Sequence, residues 1–252
     1  MNTPHTTTGA PDDGRLVAPA WLAGGGDPLW ITATLRLARH WRAAPATLSP
    51  HVRLVHPARV AELLLDPEPD GQRWTLLHHA AKRPAWYAQF GARTPVEFIA
   101  GLTDRLTARQ PDHTLLADPL DLLLAAGWAG TGHDSAVSPD GIARAERYNG
   151  YWTVTAAVGK DPENLVWNAR LSEHIPSHLV CGFFRALTDP TPLHRNRAAL
   201  PRRFTSRIRT SPAPAGTHTA QDRLEQRLQD LTTPHQHGPA SPAPKPPPRH
   251  TR

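Results

Sequence analysis

Six arginines, Arg195, Arg197, Arg202, Arg203, Arg207 and Arg209, fall within 15 positions that hold no acid. A guanidinium presents a planar fork that matches phosphate oxygens, so this run is a candidate for salt-dependent binding of RNA or DNA. A solvated, solubility-promoting tail accounts for the same residues equally well. Phe204 alone is interleaved for stacking, which argues against base-specific recognition.

The remaining chemistry-bearing residues read as structure. Ser138-Pro139-Asp140 places a carboxylate two residues after a hydroxyl and just before a strand, which is ordinary turn chemistry. His174 and His178 have the i, i+4 spacing of a metal pair, but Pro176 between them marks a helix start and leaves His174 outside it. The pairs His51/His56 and His78/His79 have no nearby cysteine, and adjacent strand residues face opposite ways. Gly24-Gly25-Gly26 lacks the Gly-Lys-Ser/Thr of a phosphate loop and the G-x-G-x-x-G of a dinucleotide turn, and reads as a flexible turn ending at Asp27. Asp12/Asp13 and Glu68/Asp70 sit in polar segments where carboxylates are solvated. Cys181 lies inside a predicted helix as a small buried residue, and no G-x-S-x-G elbow is present. No catalytic set, metal site or cofactor is expected.

The charge distribution narrows the partner classes. The chain of 252 residues carries a net charge of +6. Residues 195–252 hold 11 basic side chains against three acids, whereas the first 194 hold 17 against 19. The basic character therefore belongs to the C-terminal segment, where it implies polyanion attraction without shape. The longest apolar run, Leu122 to Trp128, is too short for a membrane span, and the N-terminus has no apolar leader. One cysteine excludes an internal disulfide. A cytoplasmic protein without membrane contact is expected.

The elements that position these residues come in two sets. Residues 86–107 and 167–188 share six identities in 22 ungapped positions, among them Trp86/Trp167, Pro95/Pro176 and Gly101/Gly182. With small gaps the match extends upstream to Trp74/Trp152, Val55/Val137, Pro57/Pro139, Trp41/Trp128 and Asp27-Pro28-Leu29/Asp118-Pro119-Leu120. Two copies of one unit of 80 to 90 residues are the simplest explanation. Asp118 is a good N-cap and Pro119 a good N1 residue, so a helix opens there and breaks near Gly127. The stretch after Asp27 matches it and is read as helix against its Ile31, Thr32 and Thr34. Asn149-Gly150 between IARAERY and YWTVTAAV is a hairpin signal, and Asp70-Gly71 marks the corresponding turn. Alternation puts Trp86, Ala88 and Phe90 on one strand face and Trp167, Ala169 and Leu171 on another. The cover is a following helix, started by a capping box at Thr94-Pro95-Val96-Glu97 and striped by Phe98, Ile99, Leu102 and Leu106. The repeat-equivalent tryptophans are read as core residues.

The fold class that results is α+β: two tandem pseudo-repeats, each helix, three or four antiparallel strands, helix, then a disordered tail. The boundaries are a disordered lead over 1–14, a first repeat over 15–110, a second over 111–194, and a basic, then Pro-rich tail over 195–252. Seven prolines in the last 20 residues favour an extended tail. Leu224, Leu228 and Leu231, with Thr219 and Asp222 as cap and N3, predict a short helix over 220–231 inside it.

Ser138-Pro139-Asp140, followed by Trp152, Trp167-x-Ala169 and Pro176, with Trp86-Tyr-Ala-x-Phe90 and Thr94-Pro95-Val96-Glu97 in the first copy and Leu22-Ala-Gly-Gly-Gly-Asp-Pro28 ahead of it, resembles the SPDY domain family of actinomycetes. That domain is named for a Ser-Pro-Asp-Tyr motif, has no known function, and usually occurs in tandem. The resemblance covers residues 15 to 190, and the order of the motifs is more specific than any one of them. Two departures stand out: Gly141 takes the place of the tyrosine, and the first copy reads His56-Pro57-Ala58-Arg59 there. The resemblance implies an architecture and carries no activity. The expectation is a non-catalytic binding or interaction module with a protein partner. The alternative is a nucleic-acid accessory protein that binds nonspecifically through the segment 195–209, and a third is an enzyme with a site between the repeats.

Overall fold

A computed structural model describes residues 14–44, 52–68, 71–79, 84–108, 118–159, 162–197, 200, 202–214 and 219–233. Asp12/Asp13, the turn residue Asp70 and the Pro-rich end of the tail lie outside them, as does the lead except for Gly14.

Each half opens with a capped helix. The Asp118 carboxylate accepts the Leu120 N–H at 3.0 Å, Pro119 takes N1, and α3 runs over Pro119–Ala125 until Gly127 turns the chain at φ 85. In the first half Asp27 accepts the Leu29 N–H at 2.9 Å and α1 spans Leu29–Ala33, continuing as a wider π turn over Thr34–Ala38. The β-branched residues that compete with helix there are accommodated. The Thr32 and Thr34 hydroxyls donate back to the Pro28 and Trp30 carbonyls, which satisfies their polarity inside the helix.

Five strands follow in each half: β2 Arg42–Ala43, β3 Val52–Val55, β4 Ala61–Glu68, β5 Gly71–His78 and β6 Trp86–Phe90, then β7 Ala129–Gly130, β8 Ser135–Val137, β9 Ala143–Tyr148, β10 Tyr151–Ala157 and β11 Leu165–Leu171. The expected three or four strands per half become five because a two-residue strand extends each edge. All ten form one antiparallel sheet in the order β2-β3-β4-β5-β6-β11-β10-β9-β8-β7. Asn149 at φ 48 and Gly150 at φ 82 make the tight β9–β10 hairpin, with Tyr148 opposite Tyr151.

The sheet is covered on one face. Trp74, Trp86, Ala88, Phe90, Trp152, Trp167, Ala169 and Leu171 are buried beneath α2, Val96–Thr107, and α4, Ser177–Leu187. Trp41 and Trp128 are buried too, and one apolar cluster runs through both halves.

The capping box at the start of α2 does not form. Thr94 is fully buried and donates instead to the Asn168 carbonyl at 3.3 Å, while the Val96 N–H finds the Gly25 carbonyl at 2.8 Å. A remote carbonyl thus serves one of the first amides of the helix, and the Thr94 hydroxyl is engaged across the sheet instead of capping.

The halves meet twice. Gln89 on β6 pairs with Arg170 on β11, flanked by Ala88 with Leu171 and Phe90 with Ala169. Behind them α2 crosses α4 with backbones in contact: a Cβ on Gly101 would lie 2.5 Å from the Gly182 carbonyl oxygen, and one on Gly182 would meet the Gly101 carbonyl. Only glycine allows so close an approach.

The tail boundary at residue 194 also needs correction. β1 Gly14–Ala18 is the centre of a second sheet, flanked by β12 Leu193–Asn196 and β13 Arg209–Pro212. The N-terminal strand supplies two edges for pairing, and that orders a segment whose composition alone suggests disorder. α5, Ala220–Thr232, forms with the expected capping box, Thr219 N–H to Asp222 at 2.8 Å and Asp222 N–H to Thr219 at 3.2 Å. Arg227 anchors it, bidentate to Asp104 at 2.9 and 3.0 Å and 4.9 Å from the Trp30 ring centroid. Among the described residues no helix is long and apolar enough to cross a membrane.

Candidate functional site

The motif Ser138-Pro139-Asp140 is a closed turn between β8 and β9. The Ser138 hydroxyl donates to Asp140 Oδ1 at 2.6 Å and accepts the Ala143 N–H at 2.9 Å. Asp140 Oδ1 also accepts the Ile142 N–H at 3.0 Å, and Oδ2 accepts the Trp21 indole N–H at 3.0 Å. Both carboxylate oxygens are thus used to hold the turn and the N-terminal segment against it. The position after Asp140 is Gly141 at φ 73, with open space where a side chain would project.

Arg195 leaves the phosphate-binding set. It lies on β12, only 4% exposed, and its guanidinium grips Glu97 with two bonds of 2.7 Å. Its remaining N–H groups donate to the carbonyls of Ala23 at 3.2 Å, Gly24 at 3.1 Å and His194 at 2.8 Å. Ala23 and Gly24, at the start of the glycine run, therefore point carbonyl oxygens at a cation, the reverse of what an anion cradle needs. The distribution of charge along the sequence could not show this, because the partner lies 98 residues away.

Of the other five arginines, three have described side chains. Arg207 and Arg209 are exposed, the latter on β13, and Arg197 is exposed just after β12. The backbone of Arg202 and Arg203 opens a 3-10 turn over Arg202–Arg207, and their side chains lie outside the described residues. Phe204 is buried and presents no ring for stacking.

Nucleophile and metal candidates behave as structure. Burial pushes the Cys181 thiol up from its ordinary pKa, away from a reactive thiolate. His174 precedes α4 and pairs with Glu173 at 3.3 Å. Among the described residues no group of three or more His, Cys, Asp or Glu side chains is placed to hold a metal ion. A hollow of about 340 Å³ beneath α5 is lined by Glu97 and Arg195, whose charges are already spent on each other.

The surface that the sequence motifs do not mark is the uncovered face of the large sheet. Strand register lays its side chains out in rows. Thr75, Gln89, Arg170, Thr153 and Glu146 stand opposite one another across β5, β6, β11, β10 and β9. Beside them Leu77 stands opposite Tyr87, and Tyr151 opposite Tyr148. Ser172 is fastened to Tyr87, its N–H donating to the Tyr87 carbonyl and its hydroxyl accepting the Tyr87 N–H, each at 2.9 Å. The chain has three tyrosines and five phenylalanines. All five phenylalanines are buried, whereas Tyr87, Tyr151 and Tyr148 are 36%, 41% and 77% exposed. Arg170 is exposed and makes no ion pair among the described residues. The signal was available in the alternation of Trp86-Tyr87-Ala88-Gln89-Phe90, whose out-facing members are Tyr87 and Gln89.

No curated protein and no solved structure shows significant similarity to this chain. The family model of the SPDY domain matches it over residues 56–111 and again over 121–193. The first match begins at the turn residue His56, and the second contains the turn Ser138-Pro139-Asp140 with its strands and closing helix. The chain belongs to the SPDY family, a domain of unknown function (DUF317), and carries two matches to it in sequence.

Proposed function

We propose that this chain is a non-catalytic binding module, made of two copies of one helix, strands, helix unit joined about a twofold-like axis, with the open sheet face as its working surface. The pairing at the joint supports the two-copy reading. Gln89 and Arg170 are 81 positions apart, as are Gly101 and Gly182, so each of these residues meets its own counterpart. That is the behaviour of an isologous interface fused into one chain. The joint is built from paired strands and touching helices.

The observation that carries the surface reading is the sorting of aromatic residues. Phenylalanine fills the core, while every tyrosine of the chain stands exposed on one face. Tyrosine offers large contact area at low entropic cost, together with a polar tip that tolerates water when the ligand leaves.

Site-specific photocrosslinking tests this. With p-benzoylphenylalanine at Tyr87 or Tyr151 in the full chain in living cells, adducts form at both positions and are absent from the same probe at Gln229, on the exposed side of α5. Adducts confined to position 229 would refute it.

A second reading rests on Arg207 and Arg209, which are exposed and free of nearby acids in sequence. They support weak polyanion binding by the C-terminal segment without Arg195.

A further inference from the structure

We propose that the open face binds single-stranded nucleic acid, with bases stacked on Tyr87, Tyr151 and Tyr148 and the backbone held at Arg170; this rests on that face being the working surface. The argument begins with charge. Three acids of the face stand beside cations, Glu62 with Arg53 at 2.7 Å, Glu146 with Arg144 at 3.1 Å, and Asp66 opposite Arg73, while Glu173, in the hollow with Tyr87 and Tyr151, meets His174 at 3.3 Å. Arg170 makes no ion pair among the described residues and is an exposed guanidinium near the centre of the sheet, directly opposite Gln89 and Thr153. A phosphate placed there meets one unmatched cation and neighbouring amide and hydroxyl donors.

Geometry selects a single strand. Tyr87 on β6 and Tyr151 on β10 are separated by β11, so their strands stand two spacings apart, about 10 Å, and both side chains line one hollow with Ser172 and Glu173. Tyr148 follows one spacing further on. Rings in such a line accept successive unpaired bases, whose faces are open to stacking whatever their identity. A duplex does not fit: its major groove, about 12 Å wide, admits a helix or a two-stranded ribbon, and this sheet is ten strands across. The neighbouring Thr75, Thr153 and Gln89 supply short polar groups for base edges without a fixed code.

The test is fluorescence anisotropy of the full chain with labelled oligothymidylate, oligouridylate and a duplex, each about 12 nucleotides or base pairs long, across a salt series. Both single strands bind more tightly than the duplex, and the ratio of the two reports DNA against RNA. Tyr87→Ala and Tyr151→Ala each weaken single-strand binding by roughly tenfold, and Tyr151→Phe, which keeps the ring, restores it. Arg170→Gln reduces the log-log salt slope by about 0.7. Near-ultraviolet circular dichroism of the buried tryptophans verifies that each variant is folded. Absence of single-strand binding at low salt overturns the proposal, as does binding lost only in the Arg207→Gln, Arg209→Gln double variant. Protein adducts at position 87 without oligonucleotide binding would sink the ligand class and keep the surface, whereas loss of both removes the surface as well.

Discussion

The turn that precedes β4 in the first half and the turn that precedes β9 in the second have one backbone and two different sets of side chains. The His56 N–H donates to the Ala61 carbonyl at 2.9 Å, and the Ser138 N–H to the Ala143 carbonyl at 2.8 Å. The Arg59 N–H returns to the His56 carbonyl at 2.7 Å, and the Gly141 N–H to the Ser138 carbonyl at 2.8 Å. Arg59 at φ 56 takes the left-handed conformation that Gly141 takes at φ 73. In the second half Ser138 and Asp140 brace this backbone, whereas in the first only the His56 imidazole does so, accepting the Ala58 N–H at 3.1 Å. The strands on either side dictate the turn, and the motif side chains are one of two ways to satisfy it.

The halves differ more in what they recruit. Asp140 receives Trp21, so the second half holds the N-terminal segment, and the Trp167 indole N–H adds a bond to the Trp21 carbonyl at 2.8 Å. Glu97 receives Arg195, so the first half holds the C-terminal segment, while the residue matching Glu97 in the second half is His178. Similar frames are thus specialised by a few polar anchors that fasten opposite ends of the chain.

Removing the deeper anchor has the largest effect. Glu97→Ala leaves a nearly inaccessible guanidinium without its counter-charge, a class of change that costs about 3–5 kcal/mol. Urea unfolding followed by tryptophan fluorescence checks it. A loss below about 1 kcal/mol, the range of exposed ion pairs, would mean that the C-terminal segment is held without help from this ion pair.

The shallower anchor gives a smaller effect. Asp140→Ala removes the acceptor of the Ser138 hydroxyl, the Ile142 amide and the Trp21 indole at a site where water can replace part of the loss, so about 1–2 kcal/mol is expected. The emission of Trp21 shifts to longer wavelength as its indole is released. Ala58→Asp, which copies the motif residue into the first half, gains much less, because Trp21 is already engaged by the second half. Equal effects from both substitutions would erase the distinction between the halves.

Local signals made the frame legible and distant ones hid the anchors. Asp118-Pro119, Asn149-Gly150 and Thr219 with Asp222 act within a few residues of themselves, and each forms the cap or turn that its chemistry favours. Thr94 carries an equally good local signal and loses, because Gly25 and Asn168 offer its neighbourhood better partners from remote segments. Arg195 reads as part of a basic tail because neither Glu97 nor the strand β1 lies near it in sequence. Alternation separates Tyr87 from Trp86, yet which face stays open depends on where α2 and α4 settle. The candidate surface was therefore written in the sequence as a pattern of two sides, without a label for the wet one.

The smallest expected effect lies in the one titratable difference between the two turns. The His56 imidazole accepts the Ala58 N–H and sits against the Trp41 ring at 5.4 Å between centroids. Burial, with the nearby His78, holds its pKa below the ordinary 6.5. The unfolded chain therefore takes up the proton before the folded one, and stability contributed by the neutral ring is present above about pH 6.5 and is lost as pH falls below it. Ser138, its counterpart, does not titrate, so His56→Ser should flatten this part of the pH dependence while Ser138→His in the second half should add to it. The measurement is the urea midpoint of wild type and both variants at intervals between neutral pH and about pH 5, compared as differences so that the other histidines cancel. A wild-type profile parallel to that of His56→Ser would show that protonation reaches the first turn without disturbing it, and the two turns would then be equivalent in energy as well as in backbone.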